Sequence, residues 1–215
     1  MARSRGALVY IVLAISLFAI LVRIFQVKKL EIVGNVLANE GKIRRVIGQL
    51  DLLWVDLDQV KEDILEDNLI KDASITIVKP SYAIIKLEEL KPIANIDLDG
   101  ALLQVASDGT ILTVGEYCQV PTIKGLASFP YLPSKKIPHE ITGYLKIVEA
   151  TSDLGLAEII CTSSGVTLKM QNKSEVFLGK NYMEPELIRQ KIKEITMRGQ
   201  HKYIDLSQKG YARGL

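Results

Sequence analysis

Few side chains in this 215-residue chain are of types that do chemistry, and their spacing does not bring them together. His139 and His201 are the two histidines, far apart and each beside a turn or loop. Cys118 and Cys161 lack the short paired spacing of a zinc site, and nothing in their separation demands a disulfide, although an oxidising compartment would permit one. Thr162-Ser163-Ser164-Gly165 is rich in hydroxyls, but the sequence holds no Gly-x-Ser-x-Gly elbow and no Gly-rich phosphate loop. Asp97-Leu98-Asp99-Gly100 opens like a calcium loop without the later oxygen ligands or the closing glutamate, so it reads as a turn between strands. Glu88 and Glu89 are neighbours in a strand, point to opposite faces and cannot act as a carboxylate pair. Asn172-Lys173-Ser174 fits a glycosylation triplet by pattern alone. No catalytic residue, metal ligand or cofactor is expected, which leaves binding as the chemistry to look for.

Composition supports a folded chain. Hydrophobic residues make up 48% and charged residues 24%, values foreign to disorder and to a multi-pass membrane protein. With 27 basic and 25 acidic side chains the net charge is +2, which gives no argument for nucleic acid. Placement is uneven. Residues 31–179 hold 14 basic and 21 acidic side chains, net −7, whereas residues 180–215 hold 8 and 4, net +4. The basic end suits an acidic partner, because complementary fields steer association.

The elements follow from periodicity. Residues 1–6 form a short basic tail, and 7–25 are expected to be a transmembrane helix. Ala7 to Val22 is sixteen residues without charge, roughly 24 Å of helix against a hydrocarbon core of about 30 Å, with Arg23 snorkelling to extend it. The exit Leu21-Val22-Arg23-Ile24-Phe25 offers no small-residue pair for signal cleavage. Arg3 and Arg5 favour a cytoplasmic amino terminus, with the bulk of the chain outside. Val27 to Val33 alternates as a strand. Ile43, Val46, Ile47 and Leu50 share one face of a helix from about Asn39 to Gln49. Asp56 caps a second helix, and Ala73–Val78 and Tyr82–Glu88 form a hairpin. Two helices on one face of a three-stranded sheet make a small α+β domain over 26–94. Turn signals at Asp99-Gly100, Asp108-Gly109, Gly125 and Ser164-Gly165 then predict a mostly antiparallel β domain over 95–215, with helices from Ile141 to Ser152 and from Glu184-Pro185 to Arg198. A last strand spans Tyr203 to Leu206.

Taken in order, these segments resemble the FtsQ/DivIB family of bacterial cell-division proteins. Val27-Lys-Lys-Leu-Glu-Ile-Val-Gly-Asn35 is similar to the first strand of that family's POTRA domain. Ala73-Ser-Ile-Thr-Ile-Val-Lys-Pro80 and Ile84-Ile-Lys-Leu-Glu-Glu-Leu-Lys-Pro-Ile-Ala94 resemble its two strands ending in Pro-Ile-Ala. Ala106-Ser-Asp-Gly-Thr-Ile-Leu112, Val120-Pro-Thr-Ile-Lys-Gly125 and Tyr203-Ile-Asp-Leu-Ser207 resemble the family's β domain and terminal-strand motif. The resemblance implies a non-enzymatic, single-span scaffold of the division septum in the bacterial plasma membrane. It also implies small bitopic coiled-coil partners of the FtsB and FtsL type, and further division proteins met through the POTRA domain.

A terminal strand at a sheet edge can accept another chain as an added strand. The residues expected to take part are Arg189, Lys193, Ile204, Leu206, Gln208, Gly210, Tyr211, Ala212 and Arg213. Backbone pairing would give affinity, Gly210 would permit close approach, and Arg189, Lys193 and Arg213 would receive acidic partner residues. Two other classes stand against this reading: a POTRA-bearing envelope chaperone or transport component, and an anchored envelope hydrolase. The first usually repeats the domain or ends in a barrel, and the second needs a catalytic set.

Overall fold

The computed structural model describes residues 2–25, 29–34, 36–47, 56–79, 81–199 and 201–207. The chain divides into two compact units, residues 1–89 and 90–215. Residues 90–94, read from the sequence as the end of the first domain, lie in the second unit.

The first unit begins with helix α1, Ala2–Phe25. The expectation of a transmembrane helix is corrected here: among the described residues no helix is long and apolar enough to cross a membrane. The reason is the bounded apolar run. Arg5 and Arg23 close it at both ends, and the sixteen uncharged residues from Ala7 to Val22 rise only about 24 Å. From Tyr10 to Ile24 the large apolar side chains of α1 are exposed on every side, Ile11, Leu13, Leu17, Phe18 and Ile20 among them.

Strand β1 (Lys29–Val33), helices α2 (Glu40–Ile47) and α3 (Leu57–Leu65), and strands β2 (Ile70–Lys79) and β3 (Tyr82–Glu89) follow. The sheet order is β1-β3-β2, with β1 parallel and β2 antiparallel to β3. Helical spacing puts Ile43 and Ile47 of α2 and Val60 and Ile64 of α3 inward, where they pack on Ala73, Ile85 and Leu87. Asp56 caps α3 as expected from its type, accepting from the amides of Asp58 and Gln59. Glu88 and Glu89 do diverge. Glu88 meets Lys71 at 2.6 Å, while the Glu89 carboxylate accepts the backbone N–H groups of Val36, Leu37 and Ala38 at 2.8–3.0 Å. Three amides of the segment after β1 thereby gain one acceptor at the end of β3. The Val27 start of the first strand, the Asn35 and Pro80 turn positions and the Gln49 end of the first helix lie outside the described residues.

The second unit holds β4 (Pro92–Leu98), β5 (Ala101–Ala106), β6 (Ile111–Val114), β7 (Thr122–Lys124), β8 (Leu156–Thr162), β9 (Gly165–Met170), β10 (Glu175–Gly179) and β11 (Tyr203–Asp205). Helices α4 (Thr142–Thr151) and α5 (Pro185–Arg198) interrupt them. All eight strands join one sheet in the order β11-β10-β9-β8-β7-β4-β5-β6. The sheet is mixed, with four of the seven strand pairings among the described residues antiparallel. Hairpin neighbours are antiparallel, but β4–β7, β7–β8 and β10–β11 are parallel. Turn residues announce only the hairpins. The segments carrying α4 and α5 are long crossovers, and such connections bring strands back in parallel. Asp99 (φ 51°) and Gly100 (φ 89°) form the tight β4–β5 turn, so Asp97-Leu98-Asp99-Gly100 is a hairpin corner.

One core serves the unit. Ile96, Leu103, Ile123, Ile159, Leu168, Val176 and Ile204 of the sheet pack with Leu145, Ile147 and Val148 of α4 and Ile188 and Ile192 of α5. At one end of the sheet the backbones crowd. Gly165 sits at φ 145°, and a Cβ there would overlap the backbone of Gly179. Gly165→Ala is expected to destabilise the fold by about 2–4 kcal/mol through overlap and backbone strain together, read as a lower urea midpoint at unchanged slope. Glu89→Ala should cost about 1–3 kcal/mol by removing the acceptor of the part-buried Leu37 and Ala38 amides, with faster amide exchange at Val36 to Ala38 as its local signature.

Candidate functional site: the β11 edge

Strand β11 forms one border of the eight-stranded sheet, paired only with β10 among the described residues. Its seating follows from the alternation of a parallel ladder. The Glu175 N–H donates to Lys202 O at 2.9 Å, and the Leu206 N–H donates to Phe177 O at 2.8 Å. Residues 202, 204 and 206 therefore turn their backbone groups toward β10, and Tyr203 and Asp205 turn theirs to the open side. Asp205 also accepts from the N–H and hydroxyl of Ser207, which closes the strand with a side-chain turn.

The residues expected at this site separate into three groups. Ile204 and Leu206 are 1% and 3% exposed and face α5, so they seat the strand rather than contact a partner through their side chains. Arg189 and Lys193 lie on α5, where Asp153 engages both. The Arg189 guanidinium meets the carboxylate with two N–H groups at 3.2 and 2.9 Å, and Lys193 Nζ lies at 2.9 Å. Asp153 follows α4 in a short 3₁₀ turn, Ser152–Leu154, so this fork ties the two helices together. The Arg189 hydrogen bond, then the Lys193 one, hold the Asp153 carboxyl well below the usual carboxylate range. The cations read as receivers of acidic partner residues are thus occupied by the chain's own acid. Gln208, Gly210, Tyr211, Ala212 and Arg213 lie outside the described residues.

The register also reveals what strand patterns alone do not. Thr122, Glu158, Lys169, Glu175 and Tyr203 form one cross-strand row. Lys124 Nζ reaches Glu158 at 2.6 Å, and Lys169 lies 4.0 Å from both Glu158 and Glu175. Tyr203 ends the row, its phenol pushed above the ordinary range by burial and by the nearby Asp205 and Glu175 carboxylates. Alternation along each strand could assign these side chains to one face, but their order across the sheet depends on the crossovers.

Other reactive side chains are not gathered here. His139 opens a 3₁₀ turn, and His201 precedes β11. Both cysteines are free. Burial, opposed by the Tyr144 hydroxyl, pushes the Cys161 thiol up, and burial beside Cys161 pushes Tyr144 up to about 12. Among the described residues no cluster of His, Cys, Asp or Glu is able to hold a metal ion. Protein-family models give no match to the chain, and neither do curated proteins.

The fork at Asp153 has a pH signature. A carboxylate held below its unfolded pKa adds stability that is complete above about pH 4 and is lost as pH falls below that toward the depressed folded value. The protection of α5 amides, measured against the intrinsic exchange rate at each pH, should therefore fall on acidification below about pH 4 in the parent chain. Asp153→Asn should exchange faster at neutral pH and show little of that acid-dependent change.

Proposed function

We propose that the protein is a non-enzymatic scaffold of the bacterial division septum, of the FtsQ/DivIB kind, which receives a small coiled-coil division protein of FtsB or FtsL type by strand addition at β11. The observation that carries this reading is the open border: Tyr203 and Asp205 direct backbone N–H and C=O groups away from β10, and no other described strand covers them. An unpaired border of this kind gives main-chain affinity to any extended segment that reaches it. The β-α-α-β-β order of residues 29–89 supports the reading of the first unit as a POTRA domain through which further division proteins dock.

A fluorescent fusion should concentrate at midcell, and an even distribution around the envelope would overturn the septal role. Tyr203→Pro tests the strand model directly. Proline removes an outward donor that β10 does not use, so the fold should persist while capture of the coiled-coil partner falls by about tenfold or more. Undiminished capture by a folded variant would refute strand addition.

A further inference from the structure

The border that would take a partner strand carries charge as well as hydrogen-bonding groups. On the sheet face opposite α4 and α5, the cations lie inboard. Lys124 belongs to β7 and Lys169 to β9, and Lys169 is shared between Glu158 and Glu175 at 4.0 Å each. Toward the border the same face presents Glu175 on β10, then Tyr203 and Asp205 on β11. The Glu175 side chain remains 46% exposed. Among the described residues Asp205 takes hydrogen bonds only from the neutral groups of Ser207. Lys202 falls on the opposite phase of the strand and Lys173 lies in the β9–β10 turn; neither forms an ion pair with Glu175 or Asp205 among the described residues. The alternation lysine, glutamate, lysine, glutamate across β7 to β10 is therefore followed on β11 by Asp205, which has no ion-pair partner among the described residues.

We infer that the strand accepted at β11 is basic on this face: an extended segment with lysine or arginine beside Tyr203 and Asp205 and an apolar residue between them, beside Ile204. The inference rests on strand addition at the same border and specifies the chemistry of what is added. Cross-strand neighbours of opposite charge stabilise a sheet and like charges oppose it, so an added cation continues the alternation and an added acid stands against Glu175 and Asp205. The sign is opposite to the acidic partner expected from the basic composition of residues 180–215, because Arg189 and Lys193 are already bound to Asp153.

The test uses the full chain and two peptides, one alternating lysine and valine between threonine ends, the other with glutamate in place of each lysine. The lysine peptide should bind about tenfold more tightly at low salt, and the difference should shrink as salt is raised. It should also slow amide exchange at Tyr203 and Asp205. Glu175→Lys should reduce or invert the preference, and Glu175→Gln should reduce it with less change in net charge. Equal affinity for the two peptides, or preference for the glutamate peptide, would overturn the basic pattern while amide protection at β11 left strand addition standing. Protection by neither peptide, together with no capture of the coiled-coil partner, would remove both.

Discussion

The second unit depends on one crossover. Between β10 and β11 the chain leaves the sheet, runs through α5 and returns parallel to the strand it left. A parallel return is stable only if the connecting helix packs on the sheet it has crossed. Ile188 and Ile192 supply that packing from α5, and Ile204 and Leu206 meet them from β11. The geometry of the border follows from this contact. With the even-numbered residues 204 and 206 held inward, the backbone groups of 203 and 205 have nowhere to point but out.

Local chemistry made much of the fold legible. Asp56 announced a helix start, Pro185 another, and Ile43 and Ile47 announced a buried face by spacing alone. Asp99-Gly100 announced a hairpin. What the sequence could not show was the company each strand keeps. Thr122–Lys124 is three residues long, yet it stands between β4 and β8, parallel to both. No turn residue encodes that, because the partners are brought by crossovers whose docking is decided by the whole core. The site shared this limit. A terminal strand with alternating Ile204 and Leu206 was readable, but the same alternation that revealed the strand also buries those two side chains, so they hold the border from behind. Arg189 and Lys193 were visible as cations, and only the fold could show Asp153 lying between them. The apolar amino-terminal stretch was legible as a helix, while its capacity to cross a membrane was overestimated by counting past Arg23.

Two kinds of charge arrangement result. Around Asp153, one carboxylate faces two cations in an intramolecular fork that fixes helix to helix. Along the outer sheet face, lysines and glutamates alternate from strand to strand until the alternation is cut off at the border. The first arrangement is complete within the chain. The second is open-ended, and it sits where the backbone is open too.

The position of β11 in the assembly order has a consequence for unfinished or clipped molecules. A chain cut after Gly199 would still possess β10 and α5, but β10 would then be the rim, with Val176 and Leu178 losing the shelter of Ile204 and Leu206. Such a fragment would show a sticky, apolar rim of different register from the native one. The native rim thus exists only in molecules whose last crossover has already docked, so completed folding is the condition for presenting it.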